Sequence, residues 1–214
     1  MGTTKLKIFN GALKELGQRR LSDTGEAIQS ARELVSVYDE TVAECLEAGS
    51  WNFAIETIKA AADTGITPEF GYTEVFAKPS DWIKTIAVSD DEYFSLPMLN
   101  FYDDASFWSA DSTPIYVRYV SNDTGLGLEL NRWPARFTRY VQLELADRVC
   151  MILTQNGTLK DAIAKERDKK KKEALNFDAM NESQPKFPPP GSWVQSRGGR
   201  IGRGDRGSRT NLTG

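Results

Sequence analysis

Leu6, Phe9, Leu13 and Leu16 are separated by three, four and three positions, the repeat of one helical face, with Thr3 or Thr4 available as N-cap and Gly17 as a stop. The spacing predicts a first amphipathic helix. A second opens at Asp23, which pairs with Glu26 as in a capping box, and runs through Ile28, Ala31, Val35, Tyr38, Val42 and Cys45 to Gly49. Ser50 is placed to cap a third helical segment, WNFAIETIKAAAD, in which Trp51, Ala54, Ile58 and Ala61 share a face and Trp51 is a core anchor. From 65 to 120 the texture changes. GYTEVFAKP, TIAVS and IYVRYV are rich in β-branched and aromatic residues and predict a small antiparallel sheet. The long acidic and aromatic stretch between them, DDEYFSLPMLNFYDDASFWSADSTP, reads as a contact loop. Trp133 and Pro134 then introduce a helix along Phe137, Val141, Leu145, Val149 and Ile152 to Gly157, with Glu144 interrupting an otherwise apolar face. Thr158 with Asp161 caps a last helix, whose KERDKKKKE block is a solvated surface.

Together the elements predict an α+β protein, mainly α: an antiparallel helix bundle with a small antiparallel β-sheet insertion and an extended C-terminal arm. Residues 1–64 supply the N-terminal helices, 65–132 the β-rich insertion with its contact loop, and 133–184 the C-terminal helices. The arm is 185–214. There FPPPG and seven glycines between 191 and 214 describe a segment unable to form a core of its own.

Charge divides the chain. Lys186, Arg197, Arg200, Arg203, Arg206 and Arg209 against Asp205 give residues 186–214 a net +5, which leaves −8 for residues 1–185 of a 214-residue chain at −3. With 40% hydrophobic residues and five tryptophans the body can bury a core. No run reaches about 18 apolar residues, and the opening MGTTKLKIFN mixes charge with apolar positions, so neither a membrane span nor a signal peptide is expected and the protein reads as intracellular.

The residue types restrict the chemistry. There is no histidine, which removes the commonest general base and metal ligand, and the only cysteines, Cys45 and Cys150, sit in apolar helical patterns as reduced core thiols. Gly202, Gly204 and Gly207 spell G-x-G-x-x-G, but no strand precedes and no helix follows them. Arg203-Gly204-Asp205 is a chance tripeptide in such a composition. The sequons at Asn122, Asn156, Asn181 and Asn211 carry no meaning without secretion. Acidic pairs such as Asp90 with Asp91, and Asp103 with Asp104, are candidates for a carboxylate site, but nothing in the sequence fixes them in a cleft. Neither catalysis nor a cofactor or metal is expected.

The run FNGALKELGQRRLSDTGEAIQSARELVSVYDETVAECLEAGSWNFA resembles the opening of the tail tubular protein A family, the head-to-tail adaptors of short-tailed bacteriophages. The resemblance lies in a first helix ending in Leu-Gly, a second with Ala31 near its start and Tyr38-Asp39 at its middle, and the closing Trp51, Phe53 and Ala54. A second similar block comprises IYVRYVSNDT, then Trp133, Pro134 and Phe137, then LELADRVCMILT. The likeness covers roughly residues 8 to 180; the stretch from about 90 to 112 and the glycine-arginine ending depart from it. It implies a virion protein at the head-tail junction, assembled in the bacterial host cytoplasm as a homo-oligomeric ring of twelve copies. Its partners would be itself, the portal protein above, and the tail nozzle protein or tail fibres below, with double-stranded DNA passing through the hole. No membrane partner is implied.

The arm has two readings. Its five arginines recur every third residue, so in a polyproline II strand they would line one edge about 9 Å apart. Phe187 and Trp193 flank the prolines, but no aromatic residue interleaves the arginines, as base stacking would need. Docking on a neighbouring protein is the preferred expectation, and nucleic-acid binding, helped by the lysine block at 169–172, is the alternative.

Overall fold

In the computed structural model, which describes residues 3–66, 68 and 71–181, the chain is α+β, with four helices and two small antiparallel sheets. Helix α1 (Lys5–Glu15) has Thr4 as its N-cap, whose hydroxyl accepts from Lys7 N at 3.2 Å. It ends at Gly17, with φ +66, where Gly17 N donates to Lys14 O and Gln18 N to Leu13 O, the bond pair of a Schellman motif. Both ends fall where the sequence places them.

Helix α2 (Gln29–Glu47) starts six residues later than Asp23. The Asp23–Glu26 pair does form, with Ser22 N and Asp23 N both donating to Glu26 Oε1, but it closes a free-standing turn before the helix. The third predicted helix is not one. Asn52–Ala54 is a single 3-10 turn, and Ile55–Ala60 is strand β1, paired residue for residue with Ile115–Val120. The spacing of Ala54, Ile58 and Ala61 matched a helix by coincidence. Ile55, Thr57 and Ile58 are β-branched, and the available edge of IYVRYV decided between the two.

The other strands are β2 (Glu74–Ala77), β3 (Trp82–Ser89), β4 (Tyr102–Asp103), β5 (Phe107–Ala110) and β6 (Ile115–Ser121). They make two three-stranded sheets rather than one, in the orders β1-β6-β3 and β2-β5-β4. The second draws two strands from the stretch read as a contact loop, and there Trp108 is fully buried.

Helix α3 (Ala135–Thr154) follows Pro134, which holds the N-cap position at φ −59, and stops at Gln155 in the left-handed region rather than at Gly157. Gly157 instead begins α4 (Gly157–Asn181). The cap is Asn156, whose side chain accepts from Leu159 N at 3.1 Å, not Thr158. Helix α3 packs against α1, α2 and α4. The main core gathers Phe9, Leu34, Trp51, Phe137, Val141 and Cys150 with their neighbours, and a smaller cluster around Phe76, Trp108 and Ile115 lies between the sheets.

Candidate functional site

The two sequence blocks that carry the resemblance meet in one aromatic cluster. Trp51 and Phe53, from the turn after α2, both reach Phe137 of α3 with ring centroids 4.8 Å apart, and Trp133 crosses Phe137 at 5.0 Å and 89°. Their polar edges are satisfied. Trp51 Nε1 donates to Cys45 O and Trp133 Nε1 to Gly127 O, at 2.8 and 2.9 Å. Helix α4 closes the cluster, since Asn52 N donates to the Asp178 carboxylate at 3.0 Å and Asn52 Nδ2 to Asp178 O at 2.8 Å. Tyr38 lies elsewhere, edge-on to Phe9 at 5.5 Å and beneath the Lys5 ammonium at 4.0 Å. Burial, reinforced by Asp39, pushes its hydroxyl up to about 12. The anchors named from sequence are thus core or junction residues; of them Tyr38 also borders a cavity of about 380 Å³ shared with Lys5, Asp39, Asn122 and Leu130.

Glu144 interrupts the apolar face of α3 in order to tie three helices. It lies 3.9 Å from Arg148 and 3.7 Å from Arg167; Arg148 also pairs with Glu40 and Glu44 of α2, and Arg167 with Asp147 and Asp168. Burial nevertheless raises the Glu144 carboxyl above its ordinary value, outweighing the arginines. Behind it the Cys45 thiol is pushed up to about 12, chiefly by burial and then by Glu144, which leaves it unreactive, and Cys150 is likewise free and buried.

The aspartate pairs are structural too. Asp91 folds the tip of its loop by accepting from Tyr93 N and Ser95 N; the Ser95 side chain first, then these backbone bonds, lower its carboxyl, and Asp103 pairs with Lys78. Among the described residues no three metal-ligating side chains gather, and no helix is long and apolar enough to cross a membrane. At the first sheet the Tyr119 hydroxyl lies 3.0 Å from Glu56 Oε2 and 3.1 Å from Asp81 Oδ2, and Asp81 also accepts from Ser121 Oγ. Burial, then Glu56, drives the phenol strongly upward, so it is a fixed donor bracing the sheet.

Three surfaces face solvent with unused chemistry. Between β3 and β5, Tyr93, Leu96, Leu99 and Tyr102 are 78, 60, 86 and 59% exposed, an apolar tip on an acidic loop. On α1, exposed Lys7 and Lys14 share with Arg20 a shallow groove of about 450 Å³ that no acidic side chain lines. On α2, Asp39, Glu40, Glu44 and Glu47 are exposed in a row relieved only by Arg148. Sequence reasoning missed the second and third; the seven-residue spacing of Lys7 with Lys14 and of Glu40 with Glu47 was the available signal. The lysine block behaves as expected, with Lys169 and Lys172 exposed and Lys170 paired to Glu166 and Glu173.

The assembly-arm residues Phe187, Trp193, Arg197, Arg200, Arg203, Arg206 and Arg209 lie outside the described residues. Compared with known proteins, the chain matches no family model and no curated protein.

Proposed function

We propose that the protein is a structural head-to-tail adaptor of a short-tailed bacteriophage, forming a ring below the portal that joins capsid to tail and leaves a channel for the genome. In this reading the four helices are the antiparallel bundle of the subunit and the two sheets its insertion. The arm lies along adjacent subunits, the portal or the tail nozzle. The observation that carries it is the meeting of Trp51 and Phe53 with Trp133 and Phe137: motif residues some eighty positions apart build one junction, as parts of a single inherited architecture do. Two physical features support it. A body at −8 repels phosphate where a basic lining would bind it, and a loop exposing Tyr93, Leu96, Leu99 and Tyr102 offers apolar surface to a partner.

Electron microscopy of the protein mixed with its portal tests the reading. Rings with an open axis seated on the portal are expected, and isolated particles clamped on DNA would overturn it. The arginine arm favours a second reading, a nucleic-acid-binding accessory protein. A salt titration separates the two, because five counterions released by the arm give a log-log slope of about −4 on duplex DNA, and the adaptor reading expects a clearly shallower one, unchanged when the arm is deleted. Deleting the chain after Gln184 should abolish attachment of the ring to its neighbours; unaffected assembly removes the arm from this account.

A further inference from the structure

We infer that the basic face of α1 and the acidic face of α2 are the two halves of a head-to-tail contact between copies of this chain, an inference that rests on the ring reading above. The basic half is Lys7, Lys14 and Arg20 around their groove. Among the described residues none of the three makes an ion pair, and no carboxylate lines the space they share. This is an isolated +3 on a body that carries −8. The acidic half is Asp39, Glu40, Glu44 and Glu47, of which Asp39 and Glu47 make no ion pair among the described residues, so with Arg148 the face carries −3.

The spacing matches as well as the sign. Lys7 and Lys14 are seven residues apart on one helix, hence on one face and about 10.5 Å apart along its axis, and Glu40 and Glu47 repeat that interval on α2. Two helices laid side by side would bring both pairs into register. With one patch given to each neighbour the contact is heterologous, the arrangement that closes into rings, whereas two copies exchanging both patches would stop at a dimer, which sedimentation distinguishes. Between the two lysines the Gln142 side chain of α3 lies over Gly11, so the floor of the groove is an uncharged amide. Duplex DNA is the other occupant that three unpaired cations could suit. A neighbouring copy is favoured because the complementary face, of equal charge and interval, is present on every subunit.

Charge reversal tests this on the full-length chain, read by sedimentation in low and high salt and on rings grown on portals. K7E/K14E/R20E and D39K/E40K/E47K, each verified as folded by circular dichroism, should both lose association by at least about tenfold, as reversed exposed charge pairs at one seam do together. Mixing the two variants should restore it, because the native acidic α2 of the first meets the native basic α1 of the second, and the reversed acidic α1 of the first meets the reversed basic α2 of the second. If either reversal disturbs folding, the neutral K7Q/K14Q/R20Q variant replaces it, with a smaller loss expected. Association indifferent to reversal and to salt overturns the inference, as does a mixture that stays apart. Loss of duplex binding without loss of association assigns the groove to phosphates and also overturns it. Normal rings from the reversed variants would sink the seam but leave the adaptor, whereas wild-type protein that builds no ring on a portal sinks both.

Discussion

Lys78 is the least solvated cation of the described residues that form ion pairs. Its side chain is 4% exposed, with the ammonium 3.5 Å from the centroid of Trp82 and 5.5 Å from that of Trp108, pairing with Asp103 and donating to Asp104 O. The environment of its two partners makes an asymmetric prediction. Lys78→Met keeps the stem between the rings and abolishes the buried charge; the Asp103 carboxylate left behind is 35% exposed and rehydrates. The lost charged hydrogen bonds and cation–π contact are largely offset by relief of ammonium desolvation, for a net cost of about 1–2 kcal/mol. Asp103→Ala does the reverse, stranding an ammonium in the slot with only a carbonyl and two ring faces, for about 3 kcal/mol. The double variant should recover at least about 1 kcal/mol of the summed loss. Urea unfolding followed by tryptophan fluorescence reads all three, since both rings flank the site. Equal single costs, a costlier Lys78→Met, or strict additivity would refute the view that exposure of the stranded partner sets the penalty.

Gly127→Ala would place a Cβ 1.9 Å from the Ser121 carbonyl oxygen, a backbone atom, in the turn that also receives the Trp133 indole; a loss of about 2 kcal/mol and a Tm fall of roughly 4–8 °C are expected by calorimetry. Gly11→Ala meets only the movable end of Gln142 and gains helix propensity, so its Tm should not fall. For Glu144, whose folded carboxyl lies above the unfolded value, the neutral form is favoured on folding, so its contribution is complete at acid pH and lost as pH rises through the folded value. The Tm of Glu144→Gln relative to wild type should therefore climb between pH 4 and pH 7, with Arg148, Arg167, Asp147 and Glu44 unchanged around it; a flat difference would contradict that direction. Replacing both Tyr93 and Leu99 by Ser should leave stability within about 0.5 kcal/mol and weaken attachment of the ring to portal or tail in a pull-down.

Much of the fold was legible because several segments obey one period without competition. Leu6 to Leu16 is a single-face helix with recognisable ends, Phe137 to Val149 keeps a helical repeat although α3 is buried on several sides, and TEVFA, TIAVS and IYVRYV are strands by their β-branched and aromatic content. Where two periods coexist, pairing decided. WNFAIETIKA fits a helix by its small residues and a strand by its isoleucines, and only the partner edge of β6 distinguishes them. Strands β4 and β5 were hidden for a different reason: YD and FWSA are too short to show alternation, and Trp108 of the second sheet is buried against β3 and β6 of the first rather than by any pattern of its own. At the candidate site the aromatic anchors could be named from sequence, but not the meeting of Trp51 with Phe137, which depends on α3 turning back across the end of α2. Lys78 carried no signal, since a lone lysine before a proline reads as a solvated turn.

Net charge alone was also too coarse. The value of −8 for the body invites the picture of a uniformly repelling wall, yet it is a sum over a basic face on α1, an acidic face on α2 and the remainder. If the two faces join in a ring, each copy buries +3 against the −3 of its neighbour, and the seam removes no net charge from the assembly. The surface left after closure then still carries −8 per body, now without its unpaired lysines. Ring closure would therefore purify the negative field that DNA meets rather than weaken it. A free subunit should accordingly hold duplex DNA better than the ring does, because only the free subunit displays Lys7, Lys14 and Arg20.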